Sequence, residues 1–286
     1  MKKTVGIIGG NGQMGKAIEA ELNAKGWPVL ISDVDTSLSN ATLMDKVDIV
    51  IASVPVHHVE EVAREISDKV TKDHTLFHVC SVAKEPLDIL QQHCGHARAI
   101  YYAHPMYDPA HWHNLPQTLV AQPEFFADIE LQELINDLFG GITFLEADAR
   151  RHDEMASFVQ AVYQIMQTAI AATFVEMDIN PDCVFNYRTH PKFFILTNFT
   201  KRMLAHDPEL YANIIFGSDQ AKKNTAIFAH SFEDFANLNA RDFFNKWKEA
   251  KEFYADNYKS AEEHVQSICK KFPAENKEGA DKIVAH

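Results

Sequence analysis

Short β-branched runs alternate with stretches of mixed apolar and polar residues along the first half of the chain. That pattern builds a parallel sheet covered by helices. The runs at 4–8, 29–32, 48–53, 75–79, 99–102, 117–120 and 143–146 read as strands, with helices over 15–24 and around 59–66. Parallel strands need crossovers, so this half is expected to be an α/β, doubly wound parallel sheet.

After about Ala147 the strand signals stop, and helix-compatible segments follow at 155–177, 193–205, 208–216, 222–235 and 240–258. Two domains are expected, 1–147 and 148–286, with a polar, frayed end over 273–286. The run at 155–177 resembles a membrane span in length. Gln160, Gln164, Gln167 and Glu176 oppose that, since each would need a partner in hydrocarbon. A helix buried in a helical domain or in a dimer interface is expected instead. No internal repeat is visible.

Composition adds limits. At about 150 residues per domain, 286 residues suit two domains, and 46% apolar residues suffice for two cores. Forty acidic against 27 basic residues leave a net charge of -13, which disfavours binding to a phosphate backbone, so nucleic acid is not an expected partner. Met1-Lys2-Lys3 runs directly into a strand without a signal peptide, and no stretch of about 20 residues is free of polar groups. A soluble, cytoplasmic protein is expected. Cys80, Cys94, Cys183 and Cys269 form no CxxC pair or disulfide framework, in keeping with a reducing compartment.

The chemistry begins at Gly10-Asn11-Gly12-Gln13-Met14-Gly15, which follows the first strand and opens a helix. In that context GxGxxG is a phosphate loop: Gly10 for the tight turn, Gly12 for close backbone approach to a pyrophosphate, Gly15 for helix packing. The helix N-terminus then offers its amides to the phosphates. Asp33, 18 residues past Gly15, ends the second strand, where a carboxylate can accept hydrogen bonds from a ribose diol; Asp35 is the alternative. A 2′-phosphate would be repelled there, so NAD is expected in preference to NADP.

Three polar strand ends should border the ligand crevice: Ser53-Val54-Pro55-Val56-His57, Cys80-Ser81-Val82 and Ala103-His104-Pro105-Met106-Tyr107. An imidazole and a hydroxyl there suit dehydrogenation, because loss of hydride from a carbinol carbon is easier when the O–H proton has an acceptor. His104 is the natural base, and Ser81 would orient either the imidazole or the substrate hydroxyl.

These segments resemble the prephenate dehydrogenase family over nearly the whole chain. The resemblance runs from the Gly-rich loop through Ser-Val-Pro-Val-His, Ser81-Val82 and His104-Pro105-Met106. It continues through His152-Asp153 and Lys201-Arg202-Met203-Leu204-Ala205-His206-Asp207-Pro208 to Leu210-Tyr211-Ala212. The loop and the short second βα unit are most similar to the proteobacterial enzymes fused to chorismate mutase. A strand signal beginning at Thr4 leads us to expect a dehydrogenase without that fusion.

The resemblance implies a Rossmann domain, a helical C-terminal dimerisation domain and a homodimer. It also implies NAD-dependent oxidative decarboxylation of prephenate to 4-hydroxyphenylpyruvate in tyrosine biosynthesis. His104 and Ser81 would be catalytic, Arg202 would hold a substrate carboxylate through two parallel N–H bonds, and Gln164 would stand where the family often has a histidine. Ala83 replaces a common lysine, Asp108 a glycine and Phe194 an arginine; Arg188, His190 or Lys192 would have to supply a missing cation. These departures keep arogenate or 4-amino-4-deoxyprephenate open as the substrate. A non-catalytic nucleotide-binding protein is disfavoured because Ser81, His104 and Arg202 occur together. The cluster His93, Cys94, His96, His104, His111 and His113 lacks the paired spacing of a zinc site, so no metal is expected.

Overall fold

The structure, a computed structural model, describes residues 2–106, 109, 117–179, 191–205 and 208–254. Asp108, His111, His113, Arg188, His190 and the segment 273–286 lie outside the described residues. Two compact units are present, Met1–Ala161 with Ala212–Lys222, and Val162–Tyr211 with Lys223–His286.

The first unit is built on a seven-stranded sheet: β1 (Val5–Ile8), β2 (Val29–Ser32), β3 (Ile49–Ala52), β4 (Thr75–His78), β5 (Ala99–Pro105), β6 (Thr118–Ala121) and β7 (Thr143–Glu146). Their spatial order is β2-β1-β3-β4-β5-β6-β7. Side chains alternate across the sheet, as strand geometry requires. Val5, Ile7, Ile49, Ile51 and Phe77 face one core with α1 (Gln13–Ala24) and, further along the chain, Leu134 to Phe139. Ile8, Val50 and Leu76 face the other, against α2 (Asn40–Met44), α3 (Val59–Ile66) and α4 (Lys84–Cys94). Strands buried on both faces read as continuous apolar runs, which is why they were legible in the sequence.

The expected doubly wound sheet is present and mostly parallel; one pair departs from it, since β5 and β6 run antiparallel with His104 opposite Val120. For the same reason β5 extends to Pro105, and Ala103-His104-Pro105 lies within the strand rather than beyond its end. Ladder bonding to β6 continues through the Met106 amide, which donates to Thr118 O at 2.8 Å.

The sequence pattern also passed over short or weakly marked helices: α2, α4, α5 (Pro123–Ala127) and α6 (Gln132–Phe139). In α4, Leu87, Leu90 and Cys94 recur at helical spacing and are buried. Pro86 sits in the first turn, where its missing N–H costs little.

Helix α7 (Ala149–Ala156) is capped by Asp148, whose side chain accepts the Arg151 amide. A π-helical stretch, Ser157–Val162, follows it. The remaining α-helices among the described residues are α8 (Tyr163–Glu176), α9 (Pro191–Leu204), α10 (Pro208–Phe216), α11 (Asp219–Ala236) and α12 (Ala240–Phe253). Within α8 only Gln167 is buried. Of the run 155–177, expected to be buried in a helical domain or a dimer interface, Ala156, Ser157, Ala161, Val162 and Gln167 are buried within the chain, and most of its other apolar residues are not. Its apolar residues lie all round the helix, so no single face could take them all into one core.

Candidate functional site

The loop after β1 turns at Gly9, whose φ of +80° suits glycine and whose missing Cβ would lie 2.4 Å from Ser53 O. Gly9 was not among the glycines expected to matter. The doubled Gly9-Gly10 was the available signal. Ser53, following β3, thereby borders the loop, and its amide donates to Ile8 O at 2.8 Å. Val54 lies there too, since the same absent Cβ would come within 2.9 Å of Val54 Cγ1; Pro55 is exposed just beyond.

Gly10 packs its Cα face on Ile31, and a Cβ on Gly15 would lie 2.3 Å from Gly9 O. Gly12 differs: a Cβ there meets only Gly9 O at 3.3 Å, so its outer face is open. Gly12 also precedes α1 in an extended conformation with no side-chain cap. The amides of Gln13 and Met14, at the first turn, are thus offered to an anion by a helix of 12 residues.

Asp33 follows β2 at the edge of this loop. Its Oδ2 accepts the Asn11 amide at 2.9 Å and its Oδ1 the Val34 amide at 2.8 Å. Asp35, the alternative, is exposed and accepts the Asn11 side-chain amide. An open backbone cradle, uncapped helix amides and an adjoining strand-end carboxylate fit an adenine dinucleotide.

Beyond the ends of β3 and β4 lies a second polar cluster. Cys80 is buried, donates to Val54 O at 3.4 Å, and is pushed up to about 12 by burial. It is a packing residue here, not a nucleophile. Ser81 and Asp153 line a small cavity with Ser157, Gln160 and Ser218. The π-helical stretch helps form it, because Ser157 and Gln160 belong to that stretch.

His104 is buried, and its partner is another histidine: Nδ1 lies 2.9 Å from His152 Nε2. His152 Nδ1 in turn lies 2.9 Å from Asp153 Oδ1. The Asp153 carboxylate also accepts the Ala83 amide at 2.7 Å and the Lys84 amide at 2.9 Å, at the start of α4. His78, fully buried on β4, accepts the Cys80 amide at Nδ1 and leaves Nε2 without a partner. Burial lowers His78 to about 3. Burial, then His152 and His78, hold His104 well below the ordinary histidine range. Both are neutral imidazoles at neutral pH, and His104 is available as a proton acceptor. His78 was missed because nothing in an apolar strand marks one histidine as a site residue. His152 was visible only as part of the His152-Asp153 match.

In the second unit, Gln164 on α8 buries its Oε1 without a partner, and Gln167 does the same with Nε2. Arg202 is exposed on α9, whose neighbours Thr200 and Met203 are buried. Among the described residues no group of three or more His, Cys, Asp or Glu side chains could hold a metal ion.

Residues 13–112 match the family model for the prephenate dehydrogenase nucleotide-binding domain. A T-protein from Enterobacter agglomerans is 27% identical over 241 residues, covering 82% of this chain and 61% of the relative. A probable arogenate/prephenate dehydrogenase from Methanocaldococcus jannaschii is 22% identical over 254 residues, covering 82% and 56%. The chain thus spans about three fifths of the length of these curated relatives.

Among solved structures, Aquifex aeolicus prephenate dehydrogenase in complex with hydroxyphenyl propionate and NAD+ superposes with a TM-score of 0.65 at 18% identity, over 93% of this chain and 99% of that one. Synechocystis arogenate dehydrogenase gives 0.61 at 12% identity, over 91% and 99%. These likenesses establish a Rossmann-like sheet followed by a helical region.

Proposed function

We propose, for a chain whose nucleotide-binding domain is that of the prephenate dehydrogenase family, that it is an NAD-dependent dehydrogenase converting prephenate to 4-hydroxyphenylpyruvate, carbon dioxide and NADH. The observation that carries this reading is His104, a buried and neutral imidazole held at the carboxyl-end edge of the same sheet as the phosphate loop. The chemistry NAD would supply there, when bound, is acceptance of a hydride from the ring carbinol carbon. Gly10 to Gly15, Ser53, Val54 and Pro55 would line its pyrophosphate side, and Asp33 would accept the ribose hydroxyls.

His104 accepts the carbinol O–H proton as the hydride departs, which avoids a protonated ketone. The electron pair of the breaking C–C bond then enters the ring as carbon dioxide leaves. The proton returns from His104 to the phenolate oxygen, so the imidazole ends the cycle neutral. Ser81 would orient the ring hydroxyl, Arg202 would pair with a substrate carboxylate, and Gln164 would offer hydrogen bonds without charge. Since aromatisation drives the reaction, the protein's work is positioning and the handling of one proton. A homodimer, through the helical residues from 148 on, completes the proposal.

Arogenate is the second reading, favoured by the names of the Methanocaldococcus relative and the Synechocystis neighbour and by Ala83 and Gln164 where cations or histidine would be expected. The test is NADH formation with prephenate, arogenate and 4-amino-4-deoxyprephenate, each with NAD and NADP. Turnover of prephenate with NAD supports the proposal. Turnover of another of the three alone replaces the substrate, and no turnover of any overturns it.

A further inference from the structure

We propose that Asp153 and His152 are positioning residues that decide which nitrogen of His104 is basic. This rests on the reading of His104 as proton acceptor, but its structural part can be checked separately. A carboxylate only accepts hydrogen bonds, so His152 Nδ1, 2.9 Å from Asp153 Oδ1, must carry a hydrogen. If that is the ring's one N–H, His152 Nε2 is an acceptor. His104 Nδ1, 2.9 Å away, must then be the donor. Its Nε2 is left with a bare lone pair, the form a general base requires.

The same carboxylate holds the Ala83 and Lys84 amides, two and three residues past Ser81. One group on α7 thereby sets both the tautomer of His104 and the path of the chain leaving Ser81. His152 is itself clamped, since its ring lies 5.2 Å from that of Tyr102, whose hydroxyl donates to Ala147 O at 2.6 Å. His152 cannot rotate away without disturbing a buried contact.

The experiment uses the full chain labelled with 15N-histidine. Long-range 1H–15N correlation at neutral pH reads each ring tautomer, and the His104 signals are those lost in His104→Asn. The expected result is a protonated Nδ1 and an unprotonated Nε2 on His104. In Asp153→Ala the His104 tautomers should mix, and kcat should fall on the order of 10- to 100-fold while the NAD dissociation constant stays within about twofold. Asp153→Asn keeps one acceptor oxygen and should retain more turnover than Asp153→Ala. Protonation of Nε2 in the wild-type protein would overturn the proposal whether or not any variant folds. So would Asp153→Ala with an unchanged tautomer and kcat. If the tautomer is as expected and no prephenate-class substrate turns over, the reading of the function fails while the tautomer assignment stands.

Discussion

His78 and His104 show how much a buried imidazole costs at acid pH. Each titrates near 6.5 when unfolded, and His78 falls to about 3 when folded. Between those values the unfolded chain binds more protons, so stability is present above the unfolded value and is lost as pH falls below it. At pH 5, about 1.5 units below 6.5, His78 alone should remove about 2 kcal/mol of stability. Urea unfolding at pH 7.5 and pH 5 checks this, and an equal midpoint at both would refute it. His104→Asn should lower kcat on the order of 10²- to 10⁴-fold with NAD affinity retained. Normal turnover in that variant would remove His104 from the chemistry. His104, Ser81 and Asp33 were legible in the sequence because each follows or sits in an apolar strand run. The contact that orients His104 was not, because His152 lies 48 residues further on and only the fold brings the two rings together.

At the scale of elements, the β1–α1 junction separates two kinds of glycine. Gly15 is structural, because any Cβ collides with the Gly9 carbonyl at 2.3 Å, and backbone cannot easily yield. Gly15→Ala should therefore lower the melting temperature and NAD affinity together. Gly12 has open space on its outer side, so Gly12→Ala should leave the melting temperature nearly unchanged and weaken NAD binding, since the methyl occupies the pyrophosphate's approach. Calorimetry of both variants with and without NAD distinguishes them. If Gly12→Ala binds NAD normally, the loop is not the phosphate cradle. The strands were readable as elements because apolar runs bounded by turns are local signals. The orientation of β6 was not, because antiparallel pairing with β5 depends on where the intervening chain returns.

For the whole molecule, a charge of -13 means that the proposed anionic substrate would need cations concentrated where it binds. Arg202→Gln should raise KM on the order of tenfold with a smaller effect on kcat, because the proposed carboxylate contact would be made before and during reaction. An unchanged KM would exclude the assignment. The helical run Ala149–Glu176 is long and apolar enough to cross a membrane, and Phe158, Val159, Val175 and Met177 are exposed along or just past it. A second copy is the proposed cover, so light scattering in detergent-free buffer should give a dimer mass. A monomer, or recovery only with membranes, would contradict it.

Sequence alone determined the strand runs, the longer helices and the place of the glycine loop, since these are encoded in neighbouring residues, while α2, α4, α5, α6, Gly9 and His78 escaped it. The likeness of residues 13–112 to a family domain is in agreement with that reading. Only the tertiary structure decided who touches whom. It turned β6 antiparallel, moved His104 into the strand, gathered Ala212–Lys222 into the first unit, and joined His104 to Asp153 through His152. Those outcomes depend on distances between residues far apart in the chain, and no local pattern of apolar and polar positions carries them.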